Sequence, residues 1–224
     1  MLARRLGRQP ELLTLYNTII VEQEQHGFIE KVDPSDVENK RTHYIPHHPV
    51  HKNSPTTPAR IIYNCSYRQS KQDVSLNDCL MVGNPPLNDL CGILVRFRLH
   101  RYAISTDIEK AFLHVNLNEQ DQDFTRFLWL LNPKDPESTF TTYRFKVVLF
   151  GSTSSPFYHL NLYRFTVSDD MKHNLYADNI ISGCQTKEEI LHYYATARAI
   201  LKETNFNLRS WATNSHKLQE KALD

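Results

Sequence analysis

The spacing of apolar residues divides the chain into helical and extended stretches. From Glu11 to His26 they recur at Leu12, Leu15/Tyr16 and Ile19/Ile20, a helical period, and Gly27 is placed to stop the helix. Phe28 to Asp36 reads as a short connector. Tyr44 to Ala59, rich in Pro, His, Ser and Thr, reads as strand fragments with a long loop. Arg60-Ile61-Ile62-Tyr63-Asn64-Cys65-Ser66 is a β-branched strand opened by an arginine. Val74 to Val82 reads as loop and turn, stopped by Asn84-Pro85-Pro86. Helical spacing returns over Leu87 to Leu99, at Leu90, Ile93/Leu94 and Phe97. It feeds an alternating strand, Tyr102 to Asp107, and then a turn into a helix through Ile108 to Phe112.

The second half of the chain is read the same way. Phe124 to Leu131 and Phe140 to Leu149 are strand-like runs joined by Asn132-Pro133-Lys134-Asp135-Pro136, which predicts a hairpin. Ser154 to Phe165 is a short helix. Asn174 to Gly183 is a second hairpin, with Ala177-Asp178-Asn179 at its turn, because Asp and Asn tolerate turn geometry. Thr186 and Glu189 have the spacing of a capping box, and behind them Ile190, Tyr193/Tyr194, Ala197 and Ile200/Leu201 form one apolar helix face, with Asn205 as a stop. Helices packed on antiparallel hairpins make an α+β protein. No internal repeat is present.

Composition narrows the class. The 224 residues are 40% hydrophobic and 23% charged, enough for one good core or two small ones and unlike a disordered chain. No apolar run approaches the roughly 18 residues of a membrane span. Arg4, Arg5 and Arg8 precede no apolar segment, so the N-terminus reads as a basic disordered arm rather than a secretory signal. The four cysteines, Cys65, Cys79, Cys91 and Cys184, show no C-x-x-C spacing. Reduced thiols and an intracellular, cytoplasmic location are expected.

Net charge is only +1, but its distribution is uneven: no acid falls between Asn39 and Gln72, where Lys40, Arg41, Lys52, Arg60, Arg68 and Lys71 cluster. Such a stretch can neutralise phosphates. His43, His47, His48 and His51 lie in it, yet they match no zinc spacing, and Pro46 and Pro49 break any helix that would align them.

Two acids stand out, Asp107 at a strand end and Asp178 at a hairpin tip, with the Gly/Ser loop Phe150-Gly151-Ser152-Thr153-Ser154-Ser155-Pro156 between them. Taken singly, each could be a turn or surface acid. Two carboxylates held within a few ångströms repel each other, so such a pair reads as a hard-metal site suited to Mg²⁺ or Mn²⁺. The order strand-Asp, Gly/Ser/Pro loop, hairpin-Asp resembles the palm of a reverse transcriptase, and more specifically the polymerase of BEL/Pao-type LTR retrotransposons. The resemblance also rests on Val74-Ser75-Leu76-Asn77-Asp78-Cys79-Leu80-Met81-Val82-Gly83, Phe97-Arg98-Leu99-His100-Arg101-Tyr102, Arg126-Phe127-Leu128-Trp129 and Asn207-Leu208-Arg209-Ser210-Trp211. It runs from about Tyr44 to Ser215.

That resemblance implies right-hand polymerase fingers over about 25–86 and 116–150, and a palm with an antiparallel sheet over about 87–115 and 151–224. Thumb, connection and RNase H parts are expected to be absent, as in a piece of a transposon polyprotein or a decayed copy. It implies Asp107, Asp178 and Asn179 as catalytic residues, with Asp107 and Asp178 as ligands of Mg²⁺ or Mn²⁺. It implies nucleotide contacts from Arg60 to the triphosphate, from the Ile108 carbonyl, from Phe112 as steric gate against a 2′-hydroxyl, and from Phe150 and Gly151 around base and sugar. Arg96, Arg98 and Arg101 read either as template contacts or as a solvated basic face. Expected partners are an RNA or DNA template with its primer, dNTPs, and the protease, RNase H and integrase of a polyprotein, in the cytoplasm or in virus-like particles and not in a membrane.

The sequence departs from the family pattern at the hairpin, where many reverse transcriptases carry a second acid and this chain has Asn179. A unit-charge pair about 4 Å apart is worth about 4 kcal/mol at an effective dielectric near 20, so weaker metal binding is expected. Asn64 replaces an acid common in its strand, and the segment Phe157 to Leu175 is shorter than the family norm. Two other readings stand beside the polymerase: an inactive, truncated remnant that only binds nucleic acid, and an unrelated α+β domain.

Overall fold

The computed structural model describes residues 2–36, 41–51, 59–85, 87–135, 137–157, 168–203 and 206–223. They fall into two units, Met1–Met81 with Asn116–Ser155, and Val82–Val115 with Pro156–Asp224.

The first unit begins with helices α1 (Leu2–Gly7) and α2 (Pro10–Gln25). Proline suits the first turn of α2, and Gly27, at φ +72°, adopts the left-handed conformation that ends it. The basic arm expected at the N-terminus is therefore helical, anchored by the fully buried Leu6. Strand β1 (Ile29–Lys31) occupies part of the expected connector. It pairs antiparallel with β6 (Phe140–Phe145), which pairs in turn with β5 (Phe127–Leu130), the predicted hairpin. Three residues carry no readable alternation, so only the partner strand reveals β1. Strands β2 (His47–His51) and β3 (Ala59–Tyr63) form a separate antiparallel pair. Inside the expected Val74 to Val82 loop lies a one-turn helix, α3 (Leu76–Cys79), capped reciprocally by Ser75 and Asp78.

The core of this unit is aromatic, and α2 receives its polar ends. Tyr16 stacks on Trp129 at 4.6 Å, and Phe127 meets Tyr63 at 5.0 Å. Trp129 Nε1 donates to Asn17, Tyr63 to Gln23 and Tyr143 to Glu24. These bonds satisfy donors that burial would otherwise strand. His47 belongs to this cluster. Its Nε2–H donates to the Leu128 carbonyl at 2.8 Å, so Nδ1 is the acceptor for the Tyr16 hydroxyl. Burial pushes the His47 pKa below its ordinary value. Deeper still, Arg126 is fully buried and donates twice to Asp123 Oδ1, at 3.0 and 2.8 Å, and once to the Asp36 carbonyl at 3.1 Å. Asp123 also accepts from Arg144, which forks onto Glu30. Burial raises the Asp123 pKa, but the two guanidinium groups outweigh it and hold the carboxyl below the usual range.

The second unit is a four-stranded antiparallel sheet. Its strands are β4 (Tyr102–Ile108), β7 (Leu175–Tyr176), β8 (Asn179–Cys184) and β9 (Leu208–Thr213), in the order β7-β8-β4-β9. Helix α4 (Leu90–Arg98) is capped by the Asp89 carboxylate, which accepts from the N–H groups of Cys91 and Gly92. Of its predicted apolar face only Ile93 is buried; Leu90 and Phe97 are half-buried and Leu94 is exposed. Helix α7 (Lys187–Glu203) begins at the expected capping box: the Thr186 hydroxyl accepts from the Glu189 N–H, and Glu189 Oε2 accepts from the Thr186 N–H. Ile190, Tyr194, Ala197 and Leu201 bury its apolar face. Ala197 and Leu201 pack with Ile108, Ile180 and Leu208, while Ile190 and Tyr194 pack with Ile104 and with Leu218 of the last helix, α8 (His216–Leu223). The short α6 (Asp169–His173) precedes β7, as the short α5 (Glu119–Gln122) of the first unit precedes β5.

One expectation needs correction here. After β4 the chain forms a 3₁₀ turn, Ala111–His114, entered through Lys110 in left-handed backbone, and not an α-helix. Of the expected helix from Ser154 to Phe165, a turn at 155–157 is helical and residues 158–165 lie outside the described ones. Among the described residues, no helix is long and apolar enough to cross a membrane.

Candidate active site

The hairpin β7–β8 closes through the two residues Ala177 and Asp178, with Tyr176 opposite Asn179. Ala177 has φ +51°, a left-handed conformation more natural to glycine. The hairpin base is tied down by Asn88, whose amide donates to the carbonyls of Lys172 and Leu175, and by Arg96, which donates to the His173 carbonyl at 2.7 Å. Arg96 is exposed and uses one nitrogen for this bond.

Strand β4 lies beside β8 in register, with Asp107 opposite Asn179. The Ile108 N–H donates to the Asp178 carbonyl at 2.9 Å. This bond makes Asp107 and Asn179 a non-hydrogen-bonded pair, the kind whose side chains stand closest, on one face of the sheet. Asn179 Nδ2 donates to Asp178 Oδ1 at 2.9 Å. Asp107 and Asn179 thus stand side by side on adjacent strands, and Asp178, bonded to Asn179, follows at the hairpin turn. The Ile108 carbonyl points to the same edge of β4 as its N–H, toward the hairpin turn.

On its other side β4 meets β9, with Asp107 opposite Arg209. Arg209 Nε donates to Asp107 Oδ2 at 2.8 Å. Its Nη1 lies 3.7 Å from Glu109, which accepts from Asn207 Nδ2. Asp107 is one-quarter exposed at its side chain and Arg209 nearly half, so this ion pair is open to solvent.

The other expected site residues are distributed as follows. Ile108 is buried under the sheet, and Phe112 is half-buried in the 3₁₀ turn. Arg60, on β3, is exposed, and Phe150 is 49% exposed; both belong to the first unit with Gly151. Gly151 has φ +103°, and a side chain there would meet the Tyr63 carbonyl at 2.9 Å. The close backbone approach it permits is therefore to Tyr63. Asn77, which carried no role in the sequence reading, clamps this loop: its amide donates to the Gly151 carbonyl and accepts from the Thr153 N–H. Arg209 was likewise missed, although it stands in a stretch that carried the family resemblance.

The donor chemistry suits a hard divalent cation: two carboxylates, one amide oxygen and one backbone carbonyl, all oxygen. Among the described residues no group of three or more His, Cys, Asp or Glu side chains is placed to hold a metal. A two-carboxylate set is the kind Mg²⁺ uses when substrate phosphates complete its shell.

A scan against family models matches residues 50–217 to "Reverse transcriptase (RNA-dependent DNA polymerase)". The chain belongs to the reverse transcriptase family. It is thereby a nucleotidyltransferase-family domain, with an α+β arrangement of helices and antiparallel sheets. Among solved structures it is similar to a foamy viral protease-reverse transcriptase in complex with an RNA/DNA hybrid. The TM-score is 0.65 at 16% identity, over 88% of this chain and 23% of that one. At that identity the likeness concerns the fold, and this reverse transcriptase domain spans under a quarter of the viral chain. No curated protein matches the sequence significantly.

Proposed function

We propose that this chain is the nucleotidyl-transfer core of an RNA-directed DNA polymerase from a BEL/Pao-type LTR retrotransposon. The observation that supports the reading is that Asp107 stands beside Asn179 on the neighbouring strand, with Asp178 bonded to Asn179 at the hairpin turn. In this reading the first unit supplies the fingers and the second the palm. Asp107 and Asp178 hold Mg²⁺ or Mn²⁺, which when bound lowers the barrier to attack by a primer 3′-hydroxyl and stabilises the leaving pyrophosphate. The protein's own part is positioning and charge neutralisation. Asp107 and Asp178 fix the geometry, and Asn179 contributes an amide oxygen without a charge. Arg60 contacts the triphosphate, for which a guanidinium fork is suited. Phe112 packs against the sugar and excludes a 2′-hydroxyl. Phe150 and Gly151 border the base and sugar. Template–primer and dNTPs are the substrates, with other polyprotein parts as partners, in the cytoplasm or virus-like particles.

One observation favours the alternative of an inactive nucleic-acid-binding remnant. The hairpin residue opposite Asp107 is the neutral Asn179, so the site has one charge fewer to offer a cation.

Primer extension on a homopolymeric RNA template separates the two readings. Extension in Mg²⁺ or Mn²⁺ that Asp107→Asn lowers by at least about a hundredfold is expected. Salt-sensitive binding of template–primer with no extension in either ion would select the remnant. Within an active protein, Phe112→Ala should admit ribonucleotides, and unchanged sugar discrimination would remove Phe112 from its role.

A further inference from the structure

Strand β9 does not run in simple register against β4. Ser105 lies opposite Ala212, yet two residues later Asp107 lies opposite Arg209, three residues earlier in β9. One extra residue of β9 is therefore accommodated between these pairs, a β-bulge. Ser210 has φ +53°, the left-handed conformation that bulges use and that non-glycine residues adopt at a penalty. Thr106 Oγ1 donates to the Arg209 carbonyl at 2.8 Å and secures the kink. Without the bulge, Ser210 would stand opposite Asp107, and Arg209 would fall one position on, facing the other side of the sheet. A locally strained backbone thus serves to bring one guanidinium beside one carboxylate.

That carboxylate lies in a row of three strands, Asn179 on β8, Asp107 on β4 and Arg209 on β9, all on one face. Asn179 leaves this row one negative charge short of a two-acid hairpin, and Arg209 offsets the charge of Asp107. We propose that Arg209 is the resident counter-ion of Asp107, a positioning residue that sets how tightly the site takes a divalent cation. The inference rests on the metal-site reading above. Arg209 holds the Asp107 carboxylate in place in the metal-free protein, and it must let go of Oδ2 for that oxygen to serve as a ligand. Solvent exposure makes the exchange feasible: the pair is neither deeply buried nor locked by a second carboxylate at bonding distance, with Glu109 at 3.7 Å.

The test is Mn²⁺ affinity, read by electron paramagnetic resonance on the whole chain without nucleotide or nucleic acid. Arg209→Gln should bind Mn²⁺ roughly three- to tenfold more tightly than the wild type, because competition and repulsion are both removed. Arg209→Lys, which keeps the charge, should fall back toward the wild-type value. An unchanged or weaker affinity in Arg209→Gln, with binding still abolished by Asp107→Asn, overturns the counter-ion role and leaves the metal site standing. No site-specific Mn²⁺ in either protein overturns both readings together. A second readout needs no variant: the Arg209 Nε–H, slow to exchange while bonded to Asp107, should exchange faster when the wild type is saturated with Mg²⁺. Unaltered exchange at saturation contradicts the proposal.

Discussion

The two units each contain an arginine–aspartate pair at 2.8 Å, and the pairs behave as different objects. In the first unit Arg126 and Asp123 have side chains 0% and 8% exposed, and Arg144 also binds the same carboxylate. In the second, Arg209 and Asp107 are 46% and 25% exposed, and the bulge at Ser210 is what brings them together. A buried pair stripped of one partner leaves a charge that water cannot reach, whereas an exposed pair can open and re-form at little penalty. The first arrangement fixes a core. The second is open to solvent, as the proposed exchange of Arg209 for a cation requires.

The largest expected effect lies in the buried pair. Arg126→Ala should lower stability by about 3–5 kcal/mol in urea denaturation, because a fully buried guanidinium and its bonds to Asp123 and to the Asp36 carbonyl are lost. Arg209→Gln should change it by no more than about 1 kcal/mol. Equal losses for the two variants would erase the distinction.

Acidification gives a second separation. His47 has a folded pKa lowered by burial, so the unfolded chain takes the proton first. Its contribution is present above the ordinary histidine value near 6.5 and is lost as pH falls below it. Asp123, held low by Arg126 and Arg144 despite its burial, adds a further loss below about pH 4, as pH drops through the unfolded and then the folded pKa. Thermal melts of the first unit should therefore weaken from about pH 6.5 downward, and a pH-independent melting temperature between about 7 and 5 would remove His47 from the core role assigned to it.

Smaller effects belong to the second unit. Asn179→Asp should lower the Mg²⁺ concentration needed for half-maximal extension by roughly three- to tenfold, since it restores a ligand charge. An identical Mg²⁺ requirement would make that charge irrelevant. Ser210→Gly should stabilise the bulge by about 0.5–1 kcal/mol without altering Mn²⁺ affinity, because glycine relieves the left-handed backbone while keeping the register. Destabilisation would indicate that Ser210 holds the bulge in another way.

What could be read in the sequence was what depends on local chemistry. The capping box Thr186/Glu189 announced α7, and the Ala177-Asp178 turn announced a hairpin whose second strand meets β4. What could not be read depends on partners distant in the chain. Three residues become β1 only because β6 offers a free edge. His47 looks like one of four ambiguous histidines until Tyr16 and Leu128 claim both its nitrogens. Arg209 falls beside Asp107 through a one-residue shift that no periodicity reports. The four-residue α3 was the exception, since Ser75 and Asp78 carried a cap signal in a stretch read as loop.

Crystals soaked with Mn²⁺ and a non-hydrolysable dNTP, measured at the manganese absorption edge, should show an anomalous peak within about 2.6 Å of oxygens from both Asp107 and Asp178, with Arg209 withdrawn from Asp107. A peak bound elsewhere, or none at these carboxylates while the nucleotide is seen, would contradict the account.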